Sequence, residues 1–139
     1  MRRSVTVIGS AVLAALALGG AAAAHHSYSM FDASRPLTVA GTVAKFEWTN
    51  PHAFVWLYAP KAAGGYTAYG FETGSPLRLE HSGWTRDSVK AGDKVTIEYF
   101  PLKDGRPGGN LIRLGQPDGK WLPGAGGPSR SGPDTPAKP

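Results

Sequence analysis

Apolar and polar positions alternate with a period of two along most of the middle of this chain. Leu37, Val39, Gly41 and Val43 share one face of an extended run, and the apolar phase then moves to Ala44, Phe46 and Trp48. A period-two pattern that changes phase within one run predicts a long strand carrying a β-bulge or a sharp coil. Gly41 would permit the bend. Asn50-Pro51 is a turn signal. Ala53 to Tyr58 is apolar at every position, which predicts a strand covered on both faces. The loop Lys61-Ala62-Ala63-Gly64-Gly65 then leads into a third strand, Tyr66 to Thr73, with Thr67, Tyr69 and Phe71 on one side.

The period changes at Ser75-Pro76. Serine followed by proline is an N-cap with proline at the first helical position, so Leu77 to Ser82 reads as a short helix and Gly83 as its stop. A fourth strand runs from Lys94 to Phe100, with Val95, Ile97 and Tyr99 on one face. A fifth runs from Asn110 to Leu114, and after the tight turn at Asp118-Gly119, Trp121-Leu122 could close the sheet. Three strands, a short helix and two strands, with a strongly coiled first strand, is the plan of an OB-like barrel: all-β with one short helix, five strands, Greek-key order. An open β-roll or sandwich is the alternative.

The ends of the chain have other patterns. Arg2-Arg3, the apolar run Val5 to Leu18 and the small residues Gly19 to Ala24 predict a secretory signal peptide over residues 1–24. A retained membrane anchor is the competing reading, but the apolar run is short of the ~20 residues a spanning helix needs. Residues 25–36 form an N-terminal arm without useful periodicity, residues 37–122 the barrel domain, and residues 123–139 a Pro/Gly-rich tail predicted to be disordered. The expected location is periplasmic or secreted, with no membrane span once the signal is removed.

Composition narrows the function classes. The 139 residues leave room for one small domain, and the absence of cysteine excludes disulfides, thiolate metal sites and thiol nucleophiles. The formal charge of +5 includes Arg2 and Arg3; without those two of its 15 basic residues the chain is +3, with basic residues scattered. No nucleic-acid patch is signalled, and a monomer is expected. Ser27 and Ser75 lack a nucleophile-elbow context, no carboxylate pair stands out, and the glycines at 105–109 lack the Lys-Ser/Thr of a phosphate loop. The aromatics, Trp48, Trp56 and Trp84 among them, read either as a stacking platform for bases or sugars or, by default, as the filling of a small barrel.

Several short motifs occur in order: His25-His26-Ser27, Gly41-Thr42-Val43, Trp48-Thr49-Asn50-Pro51-His52, Glu72 with Ser75-Pro76, Gly83-Trp84-Thr85, Gly92-Asp93, Pro101-Leu102-Lys103-Asp104-Gly105 and Pro117-Asp118-Gly119. Together they resemble a family of small exported proteobacterial proteins classed as a domain of unknown function, over about His25 to Leu122. Tyr28 stands where that family usually has Phe, and Tyr69-Gly70-Phe71 where a Trp commonly precedes the Glu. The resemblance implies export and no particular activity.

The chemistry therefore rests on the histidines. A chain cut after Ala24 begins with His25, whose α-amine and imidazole can chelate one metal together; His52 or His26 would add a third nitrogen and complete a histidine-brace site that favours copper. A chain cut after Ala23 places His26 at position three, and its amine, two amides and imidazole give a square-planar site for Cu(II) or Ni(II). The candidate metal ligands are His25, His26 and His52, and copper is the candidate cofactor. Against this stand plainer readings: His25 and His26 as a polar terminus, His52 as a turn residue bonded to backbone, His81 as a surface residue, and Glu72 as a strand-end charge rather than a ligand or a partner orienting a histidine. The expectation is a non-catalytic envelope binding module with a copper site. One alternative is a metal-independent barrel taking an oligosaccharide, a peptide or an envelope protein; a weaker one is a copper-dependent oxidase or oxygenase.

Overall fold

The computed structural model of the chain describes residues 28–124. The chain divides into two compact units, Met1–Phe31 and Asp32–Pro139. In the first, Tyr28 to Phe31 make one turn, in which the Phe31 N–H donates to the Tyr28 carbonyl at 3.2 Å and the two rings meet edge to face at 6.1 Å.

The second unit contains β1 (Leu37–Glu47), β2 (Phe54–Pro60), β3 (Tyr66–Glu72), α1 (Pro76–His81), β4 (Lys94–Pro101), β5 (Gly108–Gly115) and β6 (Trp121–Pro123). The first half of β1 pairs antiparallel with β4, from Leu37↔Tyr99 to Thr42↔Lys94. Its second half pairs with β2, from Thr42↔Tyr58 to Glu47↔Phe54. The register slips between Val43 and Lys45, so Ala44 is the extra residue of a bulge where the apolar phase changes. At Gly41 a Cβ would stand 2.5 Å from the Tyr58 carbonyl oxygen, so β1 and β2 approach there as only glycine permits.

A parallel pairing of β3 with β5 (Gly70↔Gly108, Phe71↔Gly109, Glu72↔Asn110) completes the circuit β1-β2-β3-β5-β4-β1. The barrel is thus closed, mixed and five-stranded, which sets aside the open roll. β6 is an extra strand: it pairs with β5 beyond the point where β3 leaves that edge, from Arg113↔Pro123 to Gly115↔Trp121, and does not close the barrel. The Arg113 side chain, bonded to Glu98 on β4, lies 4.5 Å over the Trp121 ring.

Inward-facing Val43, Val55, Leu57, Phe71, Ile97, Leu111 and Leu114 form the core. Phe71 and Tyr99 meet at 4.8 Å within it, and burial pushes the Tyr99 hydroxyl above its usual pKa. Trp84, after α1, is fully buried; its ring packs 5.7 Å from Phe46 and its Nε1–H donates to the Pro123 carbonyl at 2.9 Å. α1 starts as its sequence dictates: the Ser75 Oγ accepts from the Arg78 N–H, and Pro76 sits in the first turn. Ser75→Ala is expected to cost about 1 kcal/mol, read as a lowered urea midpoint with an unchanged slope.

Two expectations need correction. β2 is not covered on both faces: Val55, Leu57 and Ala59 are buried, while Trp56 and Tyr58 face solvent. A run of aromatics reads as buried on hydropathy alone, but wide amphipathic rings also cover an outer sheet face. β5 is longer than expected because Gly108 and Gly109, which look like loop residues, are the contact that closes the barrel.

Candidate functional site

The turn between β1 and β2 presents His52. Trp48 anchors its start by packing edge to face on Phe46 at 5.6 Å. The Thr49 hydroxyl donates to the His52 carbonyl at 3.2 Å, and the Asn50–Pro51 peptide is cis. Among the described residues the imidazole bonds no backbone group; its Nδ1 lies 2.6 Å from Oε1 of Glu72 at the end of β3. The β2–β3 register explains the meeting, since Phe54 stands opposite Glu72 and His52 lies just beyond the strand. The His52 side chain is 42% exposed and that of Glu72 only 18%. A neutral histidine whose Nδ1–H donates a hydrogen bond to a carboxylate keeps a lone pair at Nε2, which is how carboxylates orient metal-binding histidines.

The parallel closure places Asn110 beside Glu72. Asn110 is buried, and among the described residues its Oδ1 has no hydrogen-bond partner; neither does the buried Thr73 Oγ1 one residue after Glu72. Buried polar atoms without partners are uncommon in folded proteins and carry a desolvation cost. Two of them flank the residue that holds His52.

Of the candidate ligands, His25 and His26 lie outside the described residues. His81 sits on the exposed side of α1. Among the described residues no three His, Cys, Asp or Glu side chains converge as a metal-sized group. The structure therefore brings together His52 and Glu72. Counting back residue for residue from the hairpin at Lys61–Gly65 would have paired Phe54 with Glu72 and predicted this contact.

The outer face of β2 leads away from this pair. Phe54 and Trp56 lie nearly parallel, 19° apart with centroids at 6.0 Å, and Tyr58 follows on the same side. Trp56 Nε1–H donates to Glu47 Oε2 at 3.1 Å, while Lys45 bonds the other Glu47 oxygen. Lys45, then Trp56, holds the Glu47 carboxyl below its usual pKa range. On β3 a Cβ at Gly70 would come within 2.7 Å of the Trp56 ring, so the glycine makes room for the indole. Of the three tryptophans expected as core filling, Trp84 is in the core, Trp48 is half-buried and Trp56 is exposed.

No described helix is long and apolar enough to cross a membrane. The strand circuit, the helix between β3 and β4 and the coiled β1 define the class: a small OB-like β-barrel module. The chain belongs to a family of unknown function, DUF6152, whose profile matches residues 12–111. No curated protein and no solved structure matches it.

Proposed function

We propose that the protein is a non-catalytic binding module of the cell envelope whose N-terminal arm and His52 share one copper ion. The observation that carries this reading is the bond from His52 Nδ1 to Glu72, which fixes the ring and leaves Nε2 for a metal. His25 supplies its imidazole and, once it is the first residue, its α-amine; His26 is an auxiliary ligand.

The test is Cu(II) titration of the exported, processed protein, followed by electron paramagnetic resonance. One equivalent is expected to bind with a nitrogen-rich signal. His25→Ala and His52→Ala should each weaken binding and reduce the number of coordinated nitrogens. Glu72→Gln, which keeps the shape but loses the charge behind His52, should weaken it by about tenfold. Affinity and spectra unchanged in both histidine variants would overturn the proposal.

A further inference from the structure

The outer face of β2 carries large rings away from the His52 turn. Trp56 is 40% exposed and Tyr58 51%, and with Phe54 they form one contiguous row of rings rather than scattered single residues. The indole does not lie there loosely. Glu47 holds its N–H, Lys45 holds Glu47, and Gly70 clears the space beside the ring. A side chain fixed before a ligand arrives loses little entropy on binding. Small residues border the ridge: Ala68 stands opposite Tyr58 on β3, and Ala44 is the bulged residue on β1. With Lys45, Leu57 and Tyr69 they line a shallow groove of about 230 Å³ alongside the two rings. That is smaller than the roughly 300 Å³ at which pockets for drug-sized ligands begin, so it suits a ligand lying along the surface, ring against ring, rather than an engulfed one.

Charge narrows the occupant. Lys45 is tied to Glu47, and Lys94 donates to the Thr42 hydroxyl at 2.5 Å beside the Tyr58 row. Glu47 and Glu72 balance these two lysines on the same side of the sheet. A balanced face has no positive excess for phosphates, so neither a nucleic acid nor an anionic headgroup is favoured. What fits is a ligand with an apolar flat face and hydroxyls at its edge, which rings can stack and which Thr42, Lys45 and the Tyr58 hydroxyl can bond at the rim. We infer that Trp56 and Tyr58 form a stacking site for an uncharged glycan strand, with successive sugar rings lying along β2. The site rests on residues other than the histidines and operates without a metal.

The experiment titrates the protein in EDTA with chitohexaose and, separately, cellohexaose, and follows the tryptophan indole resonances by NMR. An oligothymidylate is the charged comparison. Saturable binding of at least one hexasaccharide is expected, with the Trp56 indole resonance moving most. Binding of both would define a site that reads ring shape; binding of chitohexaose alone would define one that also reads the N-acetyl group. Trp56→Ala should weaken binding by about tenfold, the loss of one stacked ring, and Trp56→Phe should restore most of it. Tyr58→Ala should weaken it through the neighbouring ring. His52→Ala should leave it unchanged, which separates this site from the copper proposal. The inference is overturned if neither hexasaccharide binds, if Trp56→Ala binds as well as the unmutated protein, or if the oligothymidylate binds more tightly than either sugar. It is also overturned if the face instead mediates self-association that Trp56→Ala abolishes in sedimentation.

Discussion

Gly109→Ala is expected to cost about 3 kcal/mol and to lower the melting temperature by roughly 15 °C. A Cβ at Gly109 would stand 2.0 Å from the Phe100 carbonyl oxygen and 2.9 Å from the Tyr99 ring. The nearest obstacle is backbone of a paired strand, which cannot rotate away as a side-chain tip can. Relief requires β5 to move away from β4, and that movement opens the barrel at the Pro101↔Gly109 pair. The cost therefore falls at the upper end of overpacking penalties, typically 1–3 kcal/mol. Gly105→Ala is the control. Gly105 has φ of +79°, and a methyl group there would meet no other atom within 4 Å, so only the left-handed backbone is penalised, at about 1 kcal/mol. Thermal unfolding by circular dichroism compares the two. Equal losses would show that closure at Gly109 is not the sensitive contact.

The sequence patterns that translated into structure were those with local causes. The phase change between Val43 and Ala44 became the bulge at Ala44, and Ser75-Pro76 became the start of α1, because each is settled by residues within one turn or one strand. The patterns that misled depend on distant partners. Hydropathy could not show which side of Phe54, Trp56 and Tyr58 faces the core, since the answer lies in the pairing with β1 and β3. Gly108 and Gly109 looked like loop because glycine weakens a strand on its own; here the missing side chains allow the closest approach in the barrel. The same holds for the site. His52 stood out by its context, but its partner is twenty positions away and becomes visible only when the hairpin register is counted out.

Copper affinity is expected to depend on a single peptide bond. A chain beginning at His25 offers the α-amine and the imidazole of the same residue as a chelate, with His52 as a nitrogen from across the fold. A chain beginning at Ala24 offers instead an amine, two deprotonated amides and the His26 imidazole, four nitrogens from one short segment. The two differ in their need for the barrel. His52→Ala should change the copper spectrum of the first chain and leave that of the second as it was. A chain that keeps residues 1–24 has neither amine in place. It should lose more affinity than the roughly 10–100-fold that removing an orienting partner costs, because a ligand itself is gone. Intact mass of the protein recovered from expressing cells identifies the first residue, and titration of chains prepared with each start gives the affinities. Equal copper binding by all three would mean that the N-terminal amine is not a ligand, and the role proposed for the arm would fall with it. The barrel's contribution can then be isolated. Glu72→Gln should weaken copper binding only in the chain that begins at His25, because only there does His52 Nε2 have a metal to hold.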